Sequence, residues 1–347
     1  MTLPRTLFVG KGASAVCWYR CALPAMALGQ EWVGVAGAPP DPKVRTGVTA
    51  KPFAFEHMYD YDVVVLQQPE GPWADAIRQL KARGIVVLFE IDDYVHAVRK
   101  MSSHEGREHW SRKRIEGLER TMRLADGLIC STDWLAGRYR TFNPNVWVCR
   151  NGLDLARYAY ERAPAAGVTI GWAGGVGHAT ALGPWLPVVA DAMRARDDVR
   201  FVTVGQPFAR ELEPEFGPER AVAIPFGHLE TYPASMSVFD VALAPSGGNN
   251  LFRGKSDLRW LEASALGVPL IADPVVYPEI EHGVTGFHAS TPAEARAVLD
   301  ALLADPGLRA RVGAAAREHV RAHRSIQAVA PQWAQVLDAV RPGRAAA

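Results

Sequence analysis

Short apolar segments alternate with helix-like segments along most of the chain, and this alternation constrains the fold more than any other feature. A first run has predicted strands at 7–9, 32–35, 62–66, 85–89, 127–131 and 145–149. A second run has predicted strands at 168–172, 199–204, within 216–225, and at 241–244 and 268–272. Strands that alternate with helices form parallel, doubly wound sheets. The sequence therefore predicts an α/β protein.

The two runs predict two Rossmann-like domains. The 347 residues are enough for two domains that each bury a core. We predict an N-terminal, acceptor-side domain over 1–154, a linker over 155–166 and a C-terminal domain over 167–325. A last helix over 326–342 is expected to pack back toward the N-terminal domain. Two domains joined by one linker place a central cleft between them, where ligands preferentially bind.

Composition and charge exclude several classes of protein. The formal charge of +1 gives no overall attraction to nucleic acid or to anionic membranes. No apolar run reaches the roughly 18 residues of a transmembrane helix, and the first residues lack a signal-peptide pattern. The four cysteines do not have zinc-ligand spacing, so we expect reduced thiols and a cytoplasmic protein.

The strongest functional signal lies in residues 245–286. A polar, glycine-rich loop at 246–250 leads through a basic cluster, Arg253, Lys255 and Arg259, into a helix predicted at 257–266. Ser256 can cap that helix at its start, and Gly267 can end it. The free N–H groups and the dipole of a helix N-terminus attract an anionic phosphate.

Lys255 and Glu262 give this helix the order of groups found along a nucleotide. Lys255 lies at the helix start as a positive charge for a phosphate. Glu262 lies seven residues further on, two helical turns along roughly the same face. A carboxylate at that place can accept hydrogen bonds from the hydroxyls of a ribose. A surface helix with an ordinary Lys and Glu is the alternative interpretation.

A glycine turn follows the first predicted strand. Gly10, Gly12 and Ala15 match the pattern G-x-G-x-x-A of dinucleotide sites. The second strand, however, ends in Ala-Gly-Ala-Pro-Pro rather than in the acidic residue that binds a nicotinamide ribose. The other interpretation is a turn that brings backbone close to some ligand. Arg20, on the next helix, faces either the same crevice or solvent.

Several motifs together resemble the GT-B glycosyltransferases, in particular the retaining family four, which uses nucleotide-sugar donors. The matching segments are 129–132 (ICST), 151–154 (NGLD), 171–175 (GWAGG), 255–269 (from KSDLRWLEASALGVP) and 278–286 (PEIEHGVTG). The likeness is strongest over about 129–325. It implies a GT-B fold and retaining transfer from a UDP- or GDP-sugar, with no metal or other cofactor required.

The resemblance also implies roles for individual residues. Glu262 would bind the ribose, and Lys255 with Arg253 would hold the diphosphate beside Ser256. Other positions on the donor side are the glycine loop and the segment that lines the base: Gly174, Gly175, Phe226, Gly227 and His228. His178 is interpreted either as a phosphate contact or as a surface residue. In the family, a His or an acidic residue often faces the sugar, and Asp92 and Asp93 occupy that place in this sequence. The resemblance thus implies that Asp92, Asp93 and Lys255 are the catalytic residues.

This sequence departs from the family pattern at one position. The family usually carries two glutamates eight positions apart, of which the first touches the sugar. Glu262 matches the second, but the first falls at Gly254. The sugar contact is then expected from Asn249 or Asn250, with Glu279 close to the sugar or phosphate.

Other interpretations remain open from the residues alone. The motif Glu90-Ile91-Asp92 also resembles the acid-x-acid motif of GT-A enzymes, which would hold Mg²⁺ or Mn²⁺, and the two aspartates could instead cap the next helix. The basic, tryptophan-containing segment 99–114 is either an acceptor patch, as in phage-type enzymes that glycosylate modified bases in DNA, or a solvated helix face. Gly254 also leaves open a nucleotide-binding module without turnover. The acceptor is otherwise open: a glycan, a lipid or a protein.

Overall fold

The computed structural model describes residues 2–12, 14–35, 53–98, 110–160, 167–175 and 179–343. The chain divides into two compact units. The first unit comprises Met1–Leu153, Gly254–Ser256 and Ile326–Ala347, and the second comprises Asp154–Arg253 and Asp257–Ser325. Each unit is built on one six-stranded parallel sheet. The predicted pair of doubly wound α/β domains is confirmed.

The first unit has its strands in the order β2-β1-β3-β4-β5-β6. The strands are β1 (Thr6–Lys11), β2 (Glu31–Val35), β3 (Val63–Gln67), β4 (Val86–Ile91), β5 (Gly127–Cys130) and β6 (Val146–Val148). The helices are α1 (Ala15–Cys17), a π-helical segment (Trp18–Ala22), α2 (Leu23–Ala27), a 3₁₀ helix (Phe55–Asp60), α3 (Trp73–Ala82), α4 (Val95–Val98), α5 (Arg112–Leu124) and α6 (Asp133–Tyr139).

Continuous apolar runs explain why these segments form inner strands. All five residues of β3 are buried, as expected for a parallel strand covered by helices on both faces. The C-terminal helix also belongs to this unit. Its Trp333 is 1% exposed, and its ring lies 5.7 Å from that of Phe8 on β1.

The second unit has its strands in the order β12-β11-β10-β7-β8-β9. The strands are β7 (Val168–Gly174), β8 (Val199–Gly205), β9 (Ala221–Ile224), β10 (Val241–Ala244), β11 (Leu270–Ala272) and β12 (Phe287–His288). The helices are a 3₁₀ helix (Leu155–Tyr158), α7 (Ala179–Leu182), a 3₁₀ helix (Gly183–Trp185), α8 (Leu186–Ala195), a 3₁₀ helix (Phe208–Glu211), α9 (Glu213–Phe216), α10 (Tyr232–Met236), α11 (Asn250–Arg253), α12 (Leu258–Ala265), α13 (Pro292–Ala304) and α14 (Pro306–His323), with α15 (Ile326–Ala339) returning to the first unit.

The strand orders place one switch point in each sheet. The chain leaves β7 for β8 and β9 on one side and then returns to β10 on the other side of β7. In the first sheet the same reversal falls between β1 and β3. Ligands of doubly wound sheets bind beside the carboxyl ends of strands at such points. The loops after β7 and β10 are therefore where a ligand of the second unit is expected to bind.

Three details differ from the sequence-based expectations. The two-residue strand β12 was not predicted, because it is too short to give an apolar run. The charged sequence of 105–125 predicts one long helix, whereas α5 covers Arg112–Leu124; residues 99–109 lie outside the described residues. Helix α12 begins after Asp257 and not after a Ser256 cap. Within the described ranges, we find no helix long and apolar enough to cross a bilayer.

Candidate functional site

A glycine loop occupies the switch point of the second sheet. Gly174 ends β7, and its carbonyl accepts a hydrogen bond from the N–H of Gln206, just beyond β8. A Cβ atom placed on Gly174 would collide with the guanidinium of Arg259, while one on Gly175 would meet none of the described atoms within 4 Å. The absence of a side chain at Gly174 therefore lets Arg259 approach the end of β7 closely.

An exposed aromatic ring lies beside this loop. Phe226 is 54% exposed, which is unusual for a large apolar side chain. A side chain at Gly205, which has a φ of +100°, would collide with the Phe226 ring. Gly227 and His228 follow Phe226 on the surface, and the His228 carbonyl accepts from the N–H and hydroxyl of Thr231. The Phe226 ring is placed as a platform on which a planar ligand can stack.

Tyr232 connects this ring to the buried carboxylate Glu262. The rings of Phe226 and Tyr232 lie 6.4 Å apart. Tyr232 also hydrogen-bonds Glu262, and burial, the Glu262 charge and this bond raise the pKa of Tyr232 well above its ordinary value. Glu262 is only 4% exposed, on helix α12. Aromatic ring, carboxylate and glycine loop thus belong to one site within the second unit.

Arg259, a member of the basic cluster in the sequence, also belongs to this site, although no individual role was predicted for it. Its guanidinium lies 5.2 Å from the Trp172 ring. The spacing of three residues between Arg259 and Glu262 places both on one face of α12, and this is the signal that could have indicated it. Tyr232 has no comparable signal, since only the fold brings it to Glu262.

Three further predicted donor-site residues, Asn249, Asn250 and Arg253, lie on or beside the short helix α11. The Oδ1 atom of Asn249 accepts from the N–H groups of Leu251 and Phe252 at 2.9 and 3.3 Å, at the start of α11. Asn250 and Arg253, at the two ends of α11, are exposed. These positions leave Asn250 and Arg253 accessible from solvent.

Glu279 takes part in a buried ionic network. Its Oε2 atom accepts from Nη1 of Arg324 at 2.6 Å. The same guanidinium holds both oxygens of Asp257 at 2.6 and 2.8 Å. Arg324 therefore fixes the start of α12 to the loop that carries Glu279, which gives Glu279 a positioning contact within the second unit.

Residues 254–256 lie in the first unit and bring Lys255 to the predicted aspartate pair. The Nζ atom of Lys255 donates to both oxygens of Asp93 at 2.7 and 2.9 Å. Ser256 does not cap a helix as expected; its hydroxyl accepts from Asn151 Nδ2 at 2.8 Å. A Cβ atom on Gly254 would lie 2.7 Å from Cβ of Tyr94, so the close packing against Tyr94 requires glycine.

Asp92 is the most strongly perturbed carboxylate of this cluster. Its Oδ1 atom accepts from Nε2 of Gln68 at 2.9 Å. Burial and the neighbouring carboxylates Asp93 and Glu90 raise the pKa of Asp92 to about 8, against the opposing effect of Lys255. Gln68 has a φ of +44°, a conformation uncommon outside glycine. Backbone in such a conformation often occurs at functional sites.

Arg20 faces neither a crevice nor solvent, which corrects both expectations. It is 1% exposed, and its Nε donates to Glu90 Oε1 at 2.6 Å. Its Nη1 donates to the Cys149 carbonyl at 2.6 Å and to Asn151 Oδ1 at 3.0 Å. The second Glu90 oxygen accepts from Gln67 at 3.2 Å. A cation this deep needs such partners, because an unpaired buried charge is strongly unfavourable.

This pairing bears on the alternative magnesium or manganese motif. Both oxygens of the Glu90 carboxylate are already hydrogen-bonded, to Arg20 and to Gln67, and these bonds would compete with a metal ion shared with Asp92. Among the described residues, no group of three or more His, Cys, Asp and Glu side chains is placed to hold a metal ion. The positions of these carboxylates thus do not favour a Mg²⁺ or Mn²⁺ site at the Glu90-Ile91-Asp92 motif.

The N-terminal glycine turn borders a cavity at the switch point of the first sheet. A Cβ atom on Gly10 would collide with Cys17, and Gly12 has a φ of +67°. The cavity, of about 220 Å³, is lined by the start of the turn, by the loop after β3 and by residues of α3 and α5: Gly10, Lys11, Gln68, Glu70, Trp73 and Arg114 among others. Lys11 and Arg114 both contact Glu70 Oε1, at 2.7 and 2.6 Å.

Two predicted features lie wholly or partly outside the described residues. His178 lies outside the described residues, as do 99–109 of the basic segment. In the described part of that segment, Arg112 pairs with Glu116 at 2.6 Å and Arg114 with Glu70.

Several known proteins resemble this chain in sequence or in fold. Residues 188–335 match the family model described as glycosyl transferase-like. None of the curated proteins compared with the sequence matches it. Among solved structures, HepE from Anabaena, in a complex with UDP-glucose, is 16% identical with a TM-score of 0.66, and the match covers 96% of this chain and 99% of HepE.

Two further structures share the fold. A glycosyltransferase from Rickettsia africae is 12% identical with a TM-score of 0.66, over 98% of this chain and 99% of that protein. TarM from S. aureus, in a complex that contains UDP, is 13% identical with a TM-score of 0.58, over 79% of this chain and 55% of TarM. These likenesses establish the two-domain GT-B architecture.

Fold and sequence agree on one class of protein. The architecture is that of GT-B enzymes, and the sequence of 188–335, which spans much of the second unit, matches a glycosyl transferase-like family. The predicted GT-B fold is confirmed, and the match of residues 188–335 to a glycosyl transferase-like family supports the predicted glycosyltransferase.

Proposed function

We propose that the protein transfers a sugar from a UDP- or GDP-sugar to an acceptor, with retention at the anomeric carbon. One observation carries the proposal: an exposed aromatic ring, a buried carboxylate and a glycine loop lie together in the second unit. The Phe226 ring lies beside the Gly174 loop, and Tyr232 connects it to Glu262. The ring, the loop and the carboxylate suit the base, the diphosphate and the ribose of a nucleotide, in that order. The UDP-glucose bound to HepE supports the choice of donor.

Glycosyl transfer requires stabilisation of the leaving diphosphate and of an oxocarbenium-like centre. Lys255 and the exposed Arg253 are the proposed cations for the diphosphate. Asp92 and Asp93 are proposed to face the sugar, where they orient the acceptor hydroxyl or stabilise positive charge. In this proposal the departing phosphate accepts the proton of the acceptor, so no strong general base is required. The cations and helix N-termini stabilise the leaving diphosphate, without a metal ion or another cofactor. We assign the cytoplasm on the four free, buried thiols, which suit a reducing compartment.

A thermal-shift screen across nucleoside diphosphates and their sugars tests the donor site, because a bound ligand raises the melting temperature by mass action. We expect UDP or GDP to raise the melting temperature of the wild-type protein. Glu262→Ala should lose most of this shift, while Glu219→Ala, which removes an exposed carboxylate from the same unit, should keep it. A shift that is equal in wild type and Glu262→Ala would contradict the site.

DNA as an acceptor remains a separate prediction. Trp110 lies between two cations, with Lys11 at 5.7 Å and Arg114 at 4.5 Å from the ring centroid. Both cations also contact Glu70, which offsets their charge. Salt-sensitive binding of duplex DNA would support this acceptor, and no binding at low salt would exclude it.

A further inference from the structure

The terminal nitrogens of the Arg259 guanidinium, Nη1 and Nη2, are buried and have no acceptor among the described residues. An arginine side chain stays protonated in proteins and carries five N–H donors. Burying such a charge without an anion is strongly unfavourable. This arrangement therefore calls for an anionic ligand.

The surroundings of Arg259 fix where that anion would bind. One face of the guanidinium lies over Trp172, with 5.2 Å between its central carbon and the ring centroid. Gly174 lies against Nη2, where any side chain on residue 174 would collide with the guanidinium. Trp172 and Gly174 are both on β7, at whose carboxyl end the second sheet has its switch point. The charge thus lies at the place where the fold binds ligands.

Lys255 differs from Arg259 in its charge balance. Its ammonium group already contacts both oxygens of Asp93. Within the described part of the chain, the terminal nitrogens of Arg259 have no such partner, and Glu262, three residues further along α12, is hydrogen-bonded to Tyr232. A guanidinium also presents two parallel N–H groups, which suit phosphate oxygens better than an ammonium does.

We infer that Arg259 binds the diphosphate of the nucleotide donor, between the Trp172 ring and the Gly174 backbone. This inference rests on the proposed function and adds a binding residue to it. Gly174 then has a specific role: the absence of a side chain leaves room for the guanidinium. The ligand class is a diphosphate monoester or free pyrophosphate.

Isothermal titration with three probes tests the inference. The probes are UDP, inorganic pyrophosphate and uridine, which lacks phosphate. We expect Arg259→Gln to weaken the binding of UDP and of pyrophosphate at least about tenfold and to leave uridine unchanged. Arg311→Gln is the matched control, since it removes an exposed arginine from α14. Equal affinity of wild type and Arg259→Gln for UDP would overturn the inference and leave the proposed function standing.

The titrations distinguish a failure of the Arg259 anion site from a failure of the proposed nucleotide donor. If wild type binds pyrophosphate through Arg259 but binds neither UDP nor GDP, the anion site stands and the nucleotide donor falls. If wild type binds none of these compounds, both fall. Gly174→Ala should reproduce the loss seen for Arg259→Gln, and an unchanged affinity for UDP in Gly174→Ala would count against the geometry.

A stability measurement excludes a merely structural role. Without ligand, Arg259→Met should melt at or above the temperature of the wild type, because it removes an uncompensated buried charge. It should also lose the rise in melting temperature that UDP produces in the wild type. A clear drop in the melting temperature of the ligand-free variant would show that Arg259 stabilises the fold, and would contradict the inference.

Discussion

Among single residues, Asp92 is the carboxylate whose charge depends most clearly on the fold. Burial, with Asp93 and Glu90 nearby, raises the pKa of Asp92 to about 8 from an ordinary value of 3.8. Between these pH values the folded protein holds a proton that the unfolded chain has released. The contribution of Asp92 to stability is therefore greatest at low pH and falls as the pH rises toward 8.

The direction of this pKa shift predicts how the stability of the protein depends on pH. We expect the free energy of unfolding of the wild type to decrease between pH 5 and pH 8 relative to Asp92→Asn, which mimics the protonated carboxyl. One proton sets an upper bound of about 1.4 kcal/mol per pH unit, and partial exposure of Asp92 to solvent lowers the effect below it. Urea unfolding at several pH values measures the difference. Asp75→Asn, at an exposed aspartate, is the control, and parallel curves for wild type and Asp92→Asn would refute the shifted pKa.

Sequence reasoning identified some site residues and missed others for physical reasons. Glu262 and Gly174 fall in local motifs, so their positions can be read from a few neighbouring residues. The contact between Lys255 and Asp93 joins residues 162 positions apart, and only the fold creates it. The same holds for Arg20, because its partners Glu90 and Asn151 lie 70 and 131 positions away in the sequence.

Among the elements, the tripeptide Gly254–Ser256 explains the departure from the family pattern. It packs with the first unit although its flanking residues belong to the second. At Gly254, an added Cβ atom would lie 2.7 Å from Cβ of Tyr94 and 3.1 Å from the Tyr94 nitrogen. A glutamate does not fit there unless Tyr94 and Leu135, which surround this position, shift. The missing first glutamate is thus tied to the packing of this segment.

Substitution of Gly254 tests this packing. We expect Gly254→Ala to destabilise the protein by about 1–3 kcal/mol, as overpacking does, and Gly254→Glu to lower donor turnover rather than raise it. Gly137→Ala is the matched control, because a Cβ atom there meets no other atom within 4 Å. Urea unfolding and release of nucleotide from the donor give the two readouts. A Gly254→Glu variant that is as stable as wild type and more active would contradict the packing argument.

The strands show how far the sequence predicts elements. Strands buried on both faces are continuous apolar runs, so β3 and β4 were predicted to within about two residues at each end. Strand β12 has only two residues, Phe287 and His288, and gives no run. Helix α12 ends as predicted, before Gly267 with a φ of +69°, but starts without a side-chain cap.

For the molecule as a whole, the chain returns to its first unit at the end. Helix α15 buries Trp333 against Phe8 and beneath the guanidinium of Arg20, 4.9 Å from the ring. The first unit is therefore built from both ends of the sequence. A hydrophobic contact of this kind contributes several kcal/mol to the unit that contains it.

Trp333→Ala should therefore destabilise the first unit by about 3–5 kcal/mol and leave nucleotide binding by the second unit in place. Chemical unfolding followed by circular dichroism measures the first effect, and titration with UDP measures the second. Gln335→Ala, on the exposed face of the same helix, should behave as wild type. Equal stability of Trp333→Ala and Gln335→Ala would show that the helix does not complete the core.

Release of nucleotide from a sugar donor tests the proposed glycosyl transfer most directly. The protein is incubated with UDP- and GDP-sugars, with water as the acceptor, and free UDP or GDP is measured over time. We predict release above the uncatalysed rate for at least one donor, its loss in Lys255→Ala, and its retention in Glu219→Ala. No release from any donor, or equal release by wild type and Lys255→Ala, would contradict the proposed transferase.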